Sequence, residues 1–287
     1  MNRVALITWS GLTEGAESEQ LLIPLLAQRG VEAELVDWSD SSADFTAFDL
    51  LVLRSCWDYH LHYDAFAGWL RTTARTVPVL NRLETVLWNS NKFYLRELES
   101  LGIEIAPACF VPGGQELSSR ELAQIEGWPD TVVKPAVSAS AHKTYRFKKG
   151  TLPQPQKLKE LMKHQPFLVQ QFVPEIQTRG EISFIYIDGA YSHAVLKRPG
   201  SDDFRVQLEH GGSAEQYRPP AALLQQADEI ARTVPQVRDS LYCRIDAVEK
   251  DGRLLLMELE LIEPELFLGL AEGAAERFAA AIASRVI

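Results

Sequence analysis

The stretch Leu255-Leu256-Met257-Glu258-Leu259-Glu260-Leu261-Ile262-Glu263-Pro264-Glu265 constrains the fold more than any other part of the chain. Its first half alternates as an extended strand does, which predicts Met257, Leu259 and Leu261 on one face and Glu258 and Glu260 on the other. Two carboxylates on one strand face stand about 7 Å apart. They repel each other unless a cation lies between them or solvent screens them. Asp246 lies in the preceding apolar run 241–248, and Lys250-Asp251-Gly252 is a hairpin signal between the two runs. Antiparallel pairing would bring Asp246 beside Glu258 and Glu260. Three hard oxygen donors suit Mg²⁺ with a phosphate substrate better than Zn²⁺. An edge strand with a wet acidic face satisfies the same pattern, so the strand alone leaves both readings open.

A chain of 287 residues with 46% hydrophobic content accommodates two or three substructures. The net charge of −10 argues against nucleic acid or an anionic membrane surface as partner and leaves room for a local basic pocket. Cys56, Cys109 and Cys243 have no metal-ligand spacing and read as buried thiols of a reducing compartment. The chain opens on the strand Val4 to Trp9, with neither a signal-peptide pattern nor a membrane-length apolar run, which predicts a cytoplasmic protein.

Strands at 4–9, 31–36, 49–53 and 79–80 alternate with helices at 18–29 and 63–75, which predicts a parallel sheet. Ligands of such sheets bind at loops leaving the carboxyl ends of strands, here Ser10-Gly11 and Arg54 to Asp58. A helix is expected over 89–101, with Lys92 near its start. Lys134 ends an apolar strand ahead of a loop of small residues, Pro135 to Thr144, that can cradle phosphate oxygens although no Walker A pattern occurs. The strand 167–173 running into Pro174 offers backbone groups for a purine edge. Arg198 and Arg205 flank a segment ending in Gly211-Gly212, which permits close approach of a ligand carrying carboxylate or phosphate. Arg54, Asp58 and Arg198 are the candidates for the charged ends of a small substrate. His142, His193 and His210 fit no zinc spacing, and no nucleophilic triad is complete.

Taken in order, these parts resemble the ATP-grasp superfamily over essentially the whole chain. Segment 203–212, Ile245-Asp246 and Met257 to Glu260 are similar to the branch of glutathione-synthetase-like enzymes and ribosomal-protein glutamate ligases. Arg54 to Tyr59, Trp88 to Lys92, Ser192 to Val195 and Glu258 to Pro264 resemble the bacterial group that contains the D-cycloserine-forming cyclo-ligase (O-ureido-D-serine cyclo-ligase). The resemblance implies an α/β ATP-grasp fold with an N-terminal parallel domain at 1–87 and two α+β subdomains, 88–166 and 167–287. It implies that Lys92 and Lys134 hold the ATP phosphates under the loop Ser138, Ser140, His142. Gln171, Phe172 and Val173 become the adenine hinge, and Glu181 a ribose ligand. Arg205 faces the transferred phosphoryl group, and Asp246, Glu258 and Glu260 bind Mg²⁺, two ions with Glu258 bridging. The phosphate loop departs from the pattern in carrying serine and alanine for glycine, which predicts a stiffer loop. Glu260 stands where the glutamate-ligase branch usually has asparagine.

The expected chemistry is activation of a small amino-acid-like carboxylate as an acyl phosphate, then attack by an amine, within the same molecule or from a second one. Catalysis would come from positioning and charge neutralisation, with Arg205 and Lys134 at the reacting phosphoryl group. A kinase that stops at phosphorylation and a non-catalytic nucleotide-binding module are the rival readings. Homo-oligomerisation stays open.

Overall fold

The computed structural model describes residues 2–201, 203–207 and 210–286. Three sheets organise them. The first is parallel, in the order β2-β1-β3-β4, from β1 (Asn2–Thr8), β2 (Val31–Asp37), β3 (Leu50–Leu53) and β4 (Val79–Leu80). Its central strands are continuous apolar runs because helices cover them: Val4 to Ile7 and Leu51 to Leu53 are fully buried. The covering helices are α1 (Glu17–Ala27) and α2 (Tyr63–Thr73). Two short helices follow, α3 (Leu83–Asn89) and α4 (Tyr94–Ser100).

The second sheet is antiparallel, in the order β5-β8-β6-β7, from β5 (Ala108–Val111), β6 (Asp130–Pro135), β7 (Tyr145–Lys148) and β8 (Phe167–Gln171). Helices α5 (Ser119–Glu126) and α6 (Pro155–Leu161) lie between its strands in sequence, and α7 (Glu175–Thr178) follows it. The third sheet runs β11-β10-β9-β12-β13 and is antiparallel throughout. Its strands are β9 (Glu181–Ile187), β10 (Ala190–Arg198), β11 (Ser213–Tyr217), β12 (Tyr242–Lys250) and β13 (Arg253–Glu260). Helices α8 (Ala221–Thr233) and α9 (Pro235–Arg238) precede β12, and α10 (Ala274–Ala283) ends the chain. Asp188-Gly189 and Asp251-Gly252 close the two hairpins with left-handed backbone at both positions, as two-residue turns between twisted strands require. One apolar core joins Leu22 and Leu26 of α1 and Val4 and Leu6 of β1 to Phe278 and Ile282 of α10 and Ile185 of β9, so the first and third sheets share an interior. No helix among the described residues is long and apolar enough to cross a membrane.

Four expectations change. Strand β8 pairs with β5 and β6, so the boundary expected between 166 and 167 falls one strand early. Lys92 lies in the break between α3 and α4, not in a continuous helix. There the Asn91 side chain accepts from the Phe93 N–H and the Lys92 N–H donates to Ala136. In β13 the register slips: Asp246 faces Glu258 while Ala247 faces Leu256, leaving Met257 as the extra residue of a bulge. The slip breaks the strict alternation and brings Met257 to the same cavity wall as Glu258 and Glu260.

The fourth is Arg54, expected to bind substrate. Its side chain is 1% exposed, ion-paired to Glu19 at 3.2 Å, and donates to the Pro264 carbonyl at 3.0 Å. Tyr242 and Phe278 lie against its guanidinium. It holds the first sheet to the C-terminal segment. Removing one member of a buried ion pair strands the other charge. Arg54→Met is expected to lower stability by about 3–5 kcal/mol. The double variant Glu19→Gln/Arg54→Met should recover most of the loss. Urea denaturation measures both, and equal stability of the single variant and wild type would refute the role.

Candidate active site

A cavity of about 900 Å³ opens where the three sheets meet. One end is apolar. Val132, Phe172, Val173, Ile176 and Val206 form a small buried core there, with Met257 packed against it through the bulge. Outside, the Arg146 guanidinium lies 3.6 Å from the Phe172 ring centroid and is anchored to Asp130. The Phe172 N–H donates to the Asp130 carbonyl at 3.0 Å. Among the described residues, none accepts from the Val173 N–H, which leaves the backbone there for a ligand. Gln170, 2% exposed, also lines this end, and its buried amide nitrogen has no partner among the described residues.

The middle is basic. Lys92 reaches across to the loop after β6, donating to the Ser138 carbonyl at 2.6 Å, and meets Glu258 at 2.8 Å. Lys134, at the end of β6, lines the same space, with its pKa lowered by burial. Ser138, Ser140 and His142 form the loop wall. Ser140, Ala141 and Lys143 hold φ of 48, 51 and 53°. Side chains adopt this left-handed region at a cost of about 1–2 kcal/mol each, and glycine adopts it freely. The loop thus keeps, under strain, a backbone shape that suits glycine.

The β9-β12-β13 face carries the carboxylates. Asp246 accepts from Ser183 Oγ at 2.6 Å, Lys197 Nζ at 3.1 Å and Arg244 Nη2 at 2.9 Å. Lys197 also binds Glu181 at 2.5 Å, and Arg244 binds Glu260. Glu181, Asp246, Glu258 and Glu260 therefore face Lys92, Lys134, Lys197 and Arg244, four formal negative charges against four positive. The cations hold the Asp246 carboxyl well below the usual range despite its burial. Burial, with Asp246 and Glu258 as neighbours, pushes Glu260 up to about 7. Glu181 was expected beside the ribose. It lines the cavity and also binds Lys197 inside this cluster.

Among the described residues no three carboxylate, histidine or cysteine groups form a ready-made metal cage, because each carboxylate is turned onto a cation. The donor set nonetheless fits a hard divalent ion. Glu258 and Glu260 are open to the cavity, Asp246 is paired with Glu258 across the strands, and the crowding that raises Glu260 is what an added cation relieves.

The far end is bounded by the N-terminal unit. Asp58, Trp57 and Glu263 line it, and Ser18 Oγ donates to Glu265 at 2.5 Å. Asp58 also accepts from Trp38 Nε1 at 2.8 Å. Arg205 lines the cavity with its guanidinium held by Asp203 at 2.7–3.1 Å. Arg198 does not reach the cavity: it points to solvent and pairs with Glu215. Gly211 and Gly212 do not line it either. Any side chain at Gly212 would start 2.2 Å from the Val206 carbonyl oxygen, so this glycine serves the loop's own packing. His193 is buried between Ser192 and the Leu266 carbonyl, an ordinary polar role.

This architecture can be set beside known proteins. Residues 4–81 match the model described as the D-cycloserine synthetase DcsG N-terminal domain, and residues 134–265 match the RimK-like ATP-grasp domain. The cycloserine biosynthesis protein DcsG of Streptomyces lavendulae is 27% identical over 274 residues, covering 90% of each chain. The chain has the ATP-grasp fold. Solved structures agree on the fold. The crystal structure of D-cycloserine synthetase DcsG superposes with a TM-score of 0.88 at 23% identity over all of both chains. D-alanine–D-alanine ligase from Bacillus anthracis complexed with ATP gives 0.70 at 17% identity, over 100% of this chain and 98% of that one. The protein is accordingly an ATP-grasp ligase, an enzyme that joins a carboxylate to an amine in an ATP-dependent reaction.

Sequence reasoning missed Lys197, Arg244 and Gln170 in this ATP-grasp site. A signal existed for the first two. Each is a cation inside an otherwise apolar strand, Arg244 two residues from Asp246 on the same face and Lys197 opposite Glu181 in the register. Gln170 carries no such mark.

Glu263 has the most displaced carboxyl at the substrate end. Burial first, then Glu260 and Glu258, pushes it up to about 8, so it is largely protonated at neutral pH. A value raised on folding means stability that is full below the unfolded value of about 4.5 and is lost as pH rises through about 8. Glu263→Gln, which cannot ionise, should match wild type near pH 5 and melt progressively higher than it towards pH 8. A melting difference that does not change with pH would refute the assignment.

Proposed function

We propose that the ligase activates the carboxylate of a small amino-acid-like substrate as an acyl phosphate and closes it onto an amine-type nitrogen of the same molecule, as a D-cycloserine-type cyclo-ligase. The observation that carries the reading is the substrate-end wall. Trp57 to Leu61, which bounds the cavity against the carboxylate cluster, belongs to the unit that matches the DcsG N-terminal domain. A wall carrying Asp58 and Glu265 suits an ammonium group, and Arg244 and Arg205 suit a carboxylate and its phosphorylated form.

The adenine of ATP occupies the apolar end, between Val132, Phe172 and Met257, with the hinge Gln171 to Val173 and the Gln170 amide at its polar edge. An amide is the side chain that matches the paired donor and acceptor of the adenine edge. Lys92, Lys134 and the 138–142 loop hold the phosphates. The carboxylate attacks the γ-phosphorus, its oxygen–phosphorus bond forms, and ADP leaves. Lys134 and Arg205 neutralise the charge in flight. Nitrogen attack on the acyl carbon then forms the C–N bond and releases phosphate.

Asp246, Glu258 and Glu260 would hold Mg²⁺, which supplies charge neutralisation at the transferred phosphate. The balanced four-against-four cluster supports two ions. ATP brings about four further negative charges, which about two divalent cations offset. The site suits a free small molecule in the cell interior.

The enzyme with Mg-ATP is to be tested on β-aminooxy-D-alanine, O-substituted D-serines, and D-amino-acid pairs, following ADP and products. Ring closure of β-aminooxy-D-alanine to D-cycloserine is expected, with a hydroxamate when hydroxylamine is added. Glu258→Gln should lower turnover by at least about 10²-fold. Dipeptide in place of the ring would favour two-substrate ligation. Absence of hydroxamate from every carboxylate would defeat the acyl-phosphate reading.

A further inference from the structure

Two of the carboxylates lining the cavity are buried, Glu181 at 7% exposure and Asp58 at 8%. Glu181 has Lys197 beside it at 2.5 Å. Asp58 pairs with no lysine, arginine or histidine among the described residues. Its Oδ1 accepts from the indole Nε1 of Trp38 at 2.8 Å. Its Oδ2 has no hydrogen-bond partner among the described residues and, unlike the sealed ring nitrogens of His60, retains solvent access. A buried carboxylate is costly unless a positive group or a full set of donors compensates it. One neutral N–H leaves this one short of a cation.

The indole that holds Asp58 is itself held. Trp38 directly follows β2 and is 5% exposed, and its backbone N–H donates to the Thr8 carbonyl at the end of β1, 3.2 Å away. Its ring meets Phe66 of α2 edge-on, with centroids 5.4 Å apart, and lies 6.1 Å from Trp69 of the same helix. Asp58 sits in the loop that leaves β3, just ahead of the single helical turn Tyr59–Leu61. Its carbonyl accepts from the Leu61 N–H at 2.8 Å, and the neighbouring Trp57 Nε1 donates to the Glu263 carbonyl at 3.0 Å. Backbone and side chain are therefore both fixed, and turning the carboxylate away breaks the Trp38 bond. Asp58 lines the same cavity as Arg205 and Arg244, which suit the substrate's carboxylate. It also borders a second, smaller cleft with Trp38, Asp40 and Trp69, and only recognition on the cavity side makes the choice of substrate depend on it.

We propose that Trp38 is a positioning residue that aims Asp58 at the α-ammonium group of the substrate, and that this pair selects amino acids over plain carboxylic acids of the same length. The proposal rests on the acyl-phosphate reading above and adds the residue pair that sets the substrate class. The ammonium supplies the cation that Asp58 lacks. The indole N–H fixes one oxygen, so the other meets the ammonium without first being ordered.

The test compares each amino acid that yields hydroxamate with Mg-ATP and hydroxylamine, β-aminooxy-D-alanine first, with its des-amino counterpart, here 3-aminooxypropionate. Both acids carry the same carboxylate and the same attacking nitrogen. Wild type is expected to favour the amino acid by about 10²-fold in kcat/KM. Asp58→Asn keeps an acceptor for Trp38 and removes the charge, and should abolish most of that preference. Trp38→Phe keeps a ring against Phe66 and removes the N–H. It should raise KM for the amino acid by about 10-fold with kcat little changed, and with a far smaller effect on the des-amino acid. A purely structural role would move both acids together. Equal effects on the two acids, no effect included, or a wild type that does not distinguish them, overturns the assignment and leaves the acyl-phosphate reading standing. Absence of hydroxamate from every acid overturns that reading, and this proposal with it.

Discussion

The site depends on how the free edge of β13 is satisfied. β13 ends its sheet, and a buried strand edge must find partners for its backbone groups. It finds them in the segment that links the first two sheets. The Leu256 N–H donates to the Glu104 carbonyl, and the Leu259 N–H donates to the Tyr94 hydroxyl. Asn89 accepts from the Leu261 N–H and donates to the Leu259 carbonyl, and Asn81 donates to the Leu261 carbonyl. These bonds fix the strand from the side where no neighbouring strand lies. Glu258 and Glu260 are therefore presented from a rigid rail, and the same side chains tie the linking segment, with Lys92 in its break, to the face it serves.

The second constraint is charge. Burying carboxylates is costly unless each is paired, and here the pairing is distributed over four cations from four different elements. Arg244 and Lys197 approach from β12 and β10, Lys92 from the α3–α4 break and Lys134 from β6. The arrangement is balanced before nucleotide arrives, so the polyphosphate enters a preset field in place of reorganising water. The pairs also explain why no metal cage is preassembled among the described residues: the cations of the protein already sit where added cations would compete.

Much of this was legible in the chain. Period-two alternation in 255–261 and the Asp251-Gly252 turn are local, and together they bring Asp246 beside the strand of Glu258 and Glu260, while the bulge sets it opposite Glu258. The parallel first sheet followed from apolar runs alternating with helices. What failed was non-local or lacked a residue signature. The bulge at Met257 involves neither glycine nor proline, so nothing in the sequence marks the slipped register. Arg54 leaves a strand in the position where substrate-binding residues often sit, and only the fold shows that Glu19, 35 positions earlier, waits beneath it. Gly211-Gly212 read as room for a ligand, yet the close approach at Gly212 is by Val206 of the same loop.

The two departures from the usual family pattern acquire physical reasons from the same contacts. Glu260 stands where the resemblance to the glutamate-ligase branch leads one to expect asparagine, and Arg244 is bound to it while also binding Asp246. An asparagine there would leave Asp246 as the one carboxylate that Arg244 binds, beside the Glu265 carbonyl, and the cluster with one formal negative charge fewer. The carboxylate is thus matched to the arginine, and the pair divides its charge between the sheet and any ion that arrives. In the phosphate loop, Ser140 and Ala141 hold a backbone shape that glycine would adopt at no cost. That conformation seats His142 against His60. The loop and the substrate-side wall are therefore joined by a contact between side chains, and glycines alone could not make it.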